Sequence, residues 1–178
     1  MEKWIAKHEI HKGKIFSLLG GKVLLDNGET AVREYIQHPG GVAIVPVVEN
    51  NVILIRQFRI TIEREVIELP AGLLESGEEP MDSASRELEE EIGYRAGQLI
   101  PLASYFSSVG FADERIHIFL ALELEKTALK RQADERIQEV ILPLDDIRKK
   151  LAAQEFEDAK TIIGLREYLA YLEGTRRN

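Results

Sequence analysis

The stretch GLLESGEEPMDSASRELEEEIGY, from Gly72 to Tyr94, decides the fold of this 178-residue chain. Its apolar residues recur three or four positions apart, which is typical of one stripe of an α-helix: Met81, Ala84, Leu88 and Ile92. Pro80 suits the first turn of such a helix, and Gly93 can end it in the left-handed conformation. The stretch therefore predicts a glycine-rich loop followed by a helix.

Acidic side chains collect on one flank of this predicted helix. Glu87 and Glu91 lie one turn apart, and Glu90 falls just beyond Glu87. Arg86 stands one turn before Glu90 and can pair with it. Like charges at this spacing destabilise a helix by about a few tenths of a kcal/mol. A hard divalent cation would turn the repulsion into ligation, and carboxylate oxygens suit Mg²⁺ or Mn²⁺.

The alternative is an acidic helix face that is merely solvated. The preceding loop, residues 69–78, argues against this alternative because it contains two glycines and a proline. Such a loop can fold tightly back over the start of the helix, where a backbone carbonyl could join a metal shell. We therefore expect a metal site where the loop meets the helix.

The spacing of these residues resembles the signature of the Nudix hydrolases, G-x5-E-x7-R-E-U-x-E-E-x-G-U, where U is a bulky aliphatic residue. Tyr94 is the one departure, at the final U position, and it also carries a large apolar body. The resemblance implies an α/β/α sandwich with a mixed sheet. It also implies metal-dependent hydrolysis of a nucleoside diphosphate linked to another group.

The resemblance assigns a role to each position of the signature. Glu87 and Glu91 would be the main metal ligands, joined by the Ala71 carbonyl, and Glu90 would be a ligand or a neighbour of the ligands. Arg86 would hold the glutamates in place. Glu78 would brace the loop against the helix, and the remaining structural positions are Gly72 and Gly93.

Segments outside the signature resemble the ADP-ribose pyrophosphatases of that family: Arg33-Glu34 before His38-Pro39-Gly40, Gln57-Phe58-Arg59, Glu68-Leu69-Pro70-Ala71-Gly72, and Gly110-Phe111-Ala112-Asp113-Glu114. Val109 occupies a position where that group usually has proline. The implied reaction cleaves ADP-ribose to AMP and ribose 5-phosphate. Two alternatives are hydrolysis of other nucleoside diphosphate derivatives and a non-catalytic ligand sensor, although sensors tend to lose the glutamates that this chain keeps.

Three arginines are candidates for contact with the substrate phosphates, because a guanidinium matches phosphate oxygens: Arg33, Arg56 and the preferred Arg59. Their alternative role is surface ion pairing with Glu34, Glu63 or Glu65. Gly110, Phe111 and Glu114 are further substrate-site candidates from the resemblance. Phe58 and Phe111 could stack on a base or belong to the core.

A late loop is the candidate source of the catalytic base. In the resembling subgroup, a carboxylate from such a loop often positions or deprotonates the attacking water. Glu135 is the candidate here and Asp134 the alternate, and a charged loop without a catalytic role is the competing interpretation.

Composition limits the partners. The formal net charge of −8 argues against general nucleic-acid binding. The chain has no cysteine, which excludes disulfides and thiolate zinc sites. No apolar run approaches the roughly 18 residues of a membrane span, and the N-terminus lacks the apolar core of a signal peptide. These features predict a soluble cytoplasmic protein, and they are compatible with the small-molecule substrate that the resemblance implies.

The pattern along the chain predicts an N-terminal β arm over residues 1–38 and a hydrolase domain over residues 39–178. The expected strands of the arm are Trp4–Ile10, Lys14–Leu19, Val23–Asp26 and Thr30–Gln37, with a hairpin turn at Asn27-Gly28. The later strands and helices predict a mixed sheet with helices on both faces. Enzymes of the resembling subgroup are typically dimers, so the arm could be exchanged and Arg33 could act across the interface.

Overall fold

The structure is a computed structural model, and it describes residues 1–129 and 136–175. Its strands are, in chain order, β1 (Lys3–Lys12), β2 (Ser17–Leu24), β3 (Thr30–Gln37), β4 (Gly41–Val48), β5 (Asn51–Arg59), β6 (Arg64–Glu68), β7 (Ala71–Leu73), β8 (Tyr94–Phe106), β9 (Arg115–Lys126) and β10 (Ile137–Pro143). Its helices are α1 (Pro80–Ile92), α2 (Leu144–Ala152) and α3 (Ala159–Thr175). None of the described helices is long and apolar enough to cross a membrane.

The chain divides into two compact units. One comprises Met1–Gly40 and Tyr105–Arg115, and the other comprises Gly41–Ser104 and Ile116–Asn178. The predicted domain boundary between residues 38 and 39 stays a prediction.

The first unit contains the predicted antiparallel β appendage, built from β1, β2 and β3 in that order. The hairpin turn at Asn27-Gly28 is present, with Gly28 at a φ of 85°. The prediction of separate strands Lys14–Leu19 and Val23–Asp26 is wrong, because β2 runs unbroken through Gly20 and Gly21.

Close approach of β1 explains these two glycines. Gly20 and Gly21 pair with His8 and Lys7 of β1. A Cβ at Gly21 would collide with the Ala6 carbonyl. The glycines therefore mark a contact between neighbouring strands and not a turn.

The second unit contains a mixed sheet in the order β10-β5-β4-β9-β8, with β6 paired to β5 and β7 paired to β4. The β4–β9 pair is parallel, whereas β10–β5, β4–β5, β4–β7 and β5–β6 are antiparallel. The predicted mixed sheet is confirmed.

Helices cover both faces of this sheet at β4. Val42 and Ile44 belong to the apolar cluster that includes Leu88 of α1. Val45 points the other way, and its side chain lies near Gly164 of α3. Because alternate residues of a strand point to opposite faces, α1 and α3 pack on opposite sides of β4. The predicted α/β/α arrangement is therefore confirmed.

A buried hydrogen bond joins the end of β6 to the first turn of α3. The Leu69 N–H donates to Thr161 Oγ1 at 2.8 Å, and both residues have no exposed surface. Thr161 in turn donates its N–H and its hydroxyl to Asp158 Oδ2, at 2.9 and 2.6 Å. Asp158 thereby caps the N-terminus of α3.

We predict that Thr161→Val lowers the free energy of unfolding by about 1–3 kcal/mol, because the buried Leu69 N–H then lacks an acceptor. Urea denaturation measures the change. Thr61→Val, at an exposed turn position, is the matched control and should stay within about 0.5 kcal/mol of the wild type. Equal stability of the two variants would contradict the prediction.

Candidate active site

The helix α1 begins and ends as its sequence predicts. Pro80 occupies the first turn, Asp82 adds an acidic side chain there, and Gly93 ends the helix at φ 68° and ψ 40°. The Gly93 N–H donates to the Glu89 carbonyl at 3.1 Å. The helix thus presents Glu87 and Glu91 one turn apart near its C-terminal end.

The backbone of Ala71 and Gly72 packs directly onto these two carboxylates. The Ala71 N–H donates to Glu91 Oε2 at 2.8 Å. A Cβ at Gly72 would overlap the Glu87 carboxylate, which would have to move away from the backbone to make room. Glu87 and Glu91 are buried, with 7% and 4% of their surface exposed. The loop and the helix therefore form one tightly packed acidic centre.

Arg86 joins the loop to the helix. Its Nε and Nη2 donate to the two oxygens of Glu78, each at 2.9 Å. Its Nη1 donates to Glu87 Oε1 at 2.5 Å and reaches Glu90 Oε2 at 3.4 Å. The Leu73 carbonyl accepts a further hydrogen bond from Nη2 at 3.1 Å. One guanidinium thus holds three carboxylates and a loop carbonyl.

These contacts keep Glu78 and Arg86 ionised. The hydrogen bond from Arg86 lowers the pKa of the Glu78 carboxyl from its ordinary value of 4.5 to about 2, although partial burial opposes the shift. The Glu75 N–H, which donates to Glu78 Oε2 at 3.0 Å, contributes in the same direction. The pKa of Arg86 is raised, first by its hydrogen bond to Glu78.

The preferred substrate arginine, Arg59, ends β5 in the same unit as the acidic centre. Its Nε and Nη2 donate to the two oxygens of Glu68, at 2.6 and 2.7 Å. Arg56 lies half-buried on the same strand. Neither Glu63 nor Glu65 pairs with Arg59, so that part of the ion-pair alternative is wrong.

Arg33 belongs to the other unit and pairs with the N-terminal segment. Its Nε and Nη2 donate to the Glu2 carboxylate at 3.0 and 2.5 Å, and the pair is exposed. Arg33 therefore forms an ion pair, but its partner is Glu2 and not the predicted Glu34. The hydrogen bond from Arg33 lowers the pKa of Glu2.

The segment that contains Gly110, Phe111 and Glu114 lies in the same unit as Arg33. The Ile36 N–H donates to the Phe111 carbonyl at 2.8 Å, and Ser107 Oγ donates to Glu114 Oε2 at 2.5 Å. A Cβ at Gly110 would meet open space. Phe111 and Phe58 are 58% and 56% exposed, so the core interpretation is wrong for both rings.

The candidate base, Glu135, and its alternate, Asp134, lie outside the described residues. Their role stays a prediction.

Comparisons with known proteins identify the family of this fold. The model of the NUDIX domain matches residues 37–163. The chain belongs to the Nudix family. An ADP-ribose pyrophosphatase from Bacillus subtilis (strain 168) is 43% identical over 175 residues, which cover 97% of this chain and 94% of the relative. A methanol dehydrogenase activator from Bacillus methanolicus is 38% identical over 178 residues, which cover 98% and 96%.

A solved structure agrees with the fold. The crystal structure of an ADP compounds hydrolase superposes with a TM-score of 0.88 and covers 99% of this chain and 97% of its own. Its sequence identity is 24%, so this likeness supports the Nudix fold alone.

Nudix hydrolases generally need a divalent metal ion, and the donor chemistry of the acidic centre fits one. Buried Glu87 shares Arg86 with Glu78 and Glu90, and buried Glu91 adds a further carboxylate, so the centre is acidic. Within residues 1–129 and 136–175, no three His, Asp or Glu side chains are grouped for metal binding. An ion held by Glu87 and Glu91 would complete its shell with Glu90, backbone oxygen, water or substrate.

Sequence reasoning missed the contacts of Glu68 with Arg59 and with Lys160 of α3. The sequence indicates Glu68 only as part of the Glu68-Leu69-Pro70-Ala71-Gly72 segment. The alternation of Val66 and Glu68 in β6 contains a signal, because it puts Glu68 on the buried face with Val66. No local pattern marks Lys160, which contacts Glu68 from 92 residues away.

We predict that Glu78 contributes to stability above pH about 4.5 and that this contribution is lost as the pH falls towards 2. The folded-state pKa is depressed, so the ionised carboxyl stabilises the fold and its protonation weakens it. Urea denaturation of the wild type and Glu78→Gln at several pH values should show a stability difference that shrinks on acidification. Glu125→Gln, at an exposed position, is the control. A difference independent of pH would contradict the assignment.

Proposed function

We propose that this protein hydrolyses the pyrophosphate bond of ADP-ribose to give AMP and ribose 5-phosphate, with Mg²⁺ as its cation. The observation that carries the proposal is the pair of buried carboxylates, Glu87 and Glu91, packed against the Ala71-Gly72 backbone. The choice of ADP-ribose is supported by the 43% identity to the Bacillus subtilis ADP-ribose pyrophosphatase over nearly the whole chain.

The reaction requires water to attack a phosphorus atom that is surrounded by negative charge. The bond between that phosphorus and the bridging oxygen breaks, the bridging oxygen leaves with the other phosphate, and the attacking water loses a proton. A bound divalent cation neutralises phosphate oxygens and lowers the pKa of the attacking water. Glu87, Glu91 and the Ala71 carbonyl would hold the cation, with Glu90 as a further ligand or neighbour.

The remaining residues of the centre orient these ligands. Arg86 holds the Glu87 carboxylate through Nη1 at 2.5 Å, and its bidentate contact with Glu78 fixes the guanidinium. The Ala71 N–H holds one oxygen of Glu91. We assign the removal of the water proton to Glu135, with Asp134 as the alternate.

Substrate contacts are proposed for the arginines and for the loop at residues 110–114. Arg59 and Arg56 would contact the diphosphate, and Gly110, Phe111 and Glu114 would line the substrate site. We further propose a cytoplasmic homodimer in which Arg33 acts on the partner's substrate. In that case a substrate phosphate would replace Glu2 as the anion that faces Arg33.

Glu91→Gln should lower kcat by about a thousandfold or more, because the amide retains the acceptor for the Ala71 N–H but loses the ligand charge. The protein should stay folded by circular dichroism. Glu89→Gln makes the same change on the same helix, at a residue that pairs with Arg95 instead. That control should keep kcat within about twofold of the wild type. Near wild-type turnover of Glu91→Gln would remove the metal assignment.

A substrate panel tests the choice of ADP-ribose directly. We expect the purified protein with Mg²⁺ to prefer ADP-ribose over UDP-glucose, GDP-mannose, diadenosine polyphosphates and nucleoside triphosphates. Chromatography should show AMP as the product that contains the base. A flat profile or another best substrate would keep the hydrolase and overturn ADP-ribose.

A further inference from the structure

The guanidinium of Arg59 is held along one edge by a buried carboxylate. Nε and Nη2 donate to the two oxygens of Glu68 at 2.6 and 2.7 Å, which is a bidentate pair. Glu68 is only 2% exposed, whereas the Arg59 side chain is 42% exposed. Among the described residues, no oxygen accepts a hydrogen bond from Nη1 of Arg59. One edge of the guanidinium is therefore fixed, and the other can donate to a ligand.

A second cation holds Glu68 from the other side. The Lys160 ammonium, in the first turn of α3, contacts Glu68 Oε2 and also lies 3.0 Å from Asp158 Oδ1. Burial raises the pKa of Glu68, but the hydrogen bonds from Arg59 and Lys160 outweigh it, and the net pKa is lowered. Glu68 is therefore a buried, ionised carboxylate that is paired with two cations.

Each residue from Glu68 to Ala71 is anchored to a different partner. Glu68 binds Arg59 of β5 and Lys160 of α3, and the Leu69 N–H donates to Thr161 of α3. The Pro70 carbonyl accepts the Ile44 N–H of β4 at 2.9 Å. The Ala71 N–H donates to Glu91 of α1 at 2.8 Å. The segment therefore fixes the position of Arg59 relative to the acidic centre.

We propose that Glu68 is a positioning residue, which holds Arg59 so that its outward edge meets the substrate diphosphate, and that Lys160 holds Glu68 in turn. The inference rests on the proposed function, because it needs a diphosphate bound beside Glu87 and Glu91. An unrestrained arginine loses rotamer freedom when it binds an anion. Arg59 has already lost that freedom in the folded protein, so less of the binding energy is consumed by ordering it.

The competing explanation is an ion pair that only stabilises the fold. A double-mutant cycle with Arg59→Gln, Glu68→Gln and the double variant separates the two explanations. The substrate is whichever compound of the panel the wild type hydrolyses fastest. We expect Arg59→Gln to lower kcat/KM by about a hundredfold and Glu68→Gln by about tenfold, mostly through KM. The double variant should be no worse than Arg59→Gln alone.

Two further comparisons keep the test decisive if Glu68→Gln does not fold. Lys160→Arg keeps a cation beside Glu68 and should retain the wild-type KM, whereas Lys160→Met should raise KM. Glu157→Gln is the matched control, because Glu157 forms an exposed ion pair with Arg64 of β6 at 2.9 Å and contacts neither Glu68 nor the Arg59 guanidinium in that pair. This control should leave KM unchanged.

The outcomes separate this inference from the proposed function. Losses from Arg59→Gln and Glu68→Gln that multiply in the double variant would overturn the positioning role, even if ADP-ribose is the best substrate. An unchanged KM in Glu68→Gln, or in Lys160→Met where Glu68→Gln is not folded, would overturn it as well. Coupled losses measured on another nucleoside diphosphate would retain the positioning role and overturn ADP-ribose.

Discussion

The contact between the Ala71-Gly72 backbone and the carboxylates of Glu87 and Glu91 is the constraint on which the rest of the site depends. Ionised carboxylates are costly to bury unless donors and counter-charges surround them. The Ala71 N–H and Arg86 supply part of that compensation, at 2.8 and 2.5 Å. The absence of a side chain at Gly72 lets Glu87 reach the backbone. The close packing of Glu87 on this backbone therefore depends on the absence of a side chain at Gly72.

This contact also explains why each residue from Glu68 to Ala71 is anchored to another part of the protein. A loop that must meet two carboxylates closely has to arrive in one position, and α3, β4 and β5 provide the anchors. The arrangement has a chemical consequence. At one end of the segment, Glu68 forms ion pairs with Arg59 and Lys160. At the other end, the Ala71 N–H donates to Glu91. The segment thus has cations near Glu68 and a carboxylate near Ala71. The cations suit an anionic substrate, and the carboxylate suits a metal cation.

Local features of this site could be predicted from the sequence, and tertiary features could not. The apolar spacing of three and four, with Pro80 and Gly93, specifies α1 because a helix is determined by neighbouring residues. The strand through Gly20 and Gly21 was misread because the need for glycine arises from β1. The partner of Arg59 was missed because β5–β6 pairing and a helix 92 residues away bring the charges together.

The charge of the acidic centre favours binding of a cation before the diphosphate. Arg86 pairs with Glu78, Glu87 and Glu90, and Glu91 adds a fourth carboxylate, so these five side chains carry a formal charge of −3 when ionised. A diphosphate approaching such a centre alone would be repelled at short range, where screening is weak. A divalent cation bound first would reduce this formal charge to about −1 and would bind phosphate oxygens directly. The fixed edge of Arg59 would then offer a second attractive point. Loss of the cation should therefore weaken diphosphate binding more than loss of Arg59, since the repulsion is restored in full.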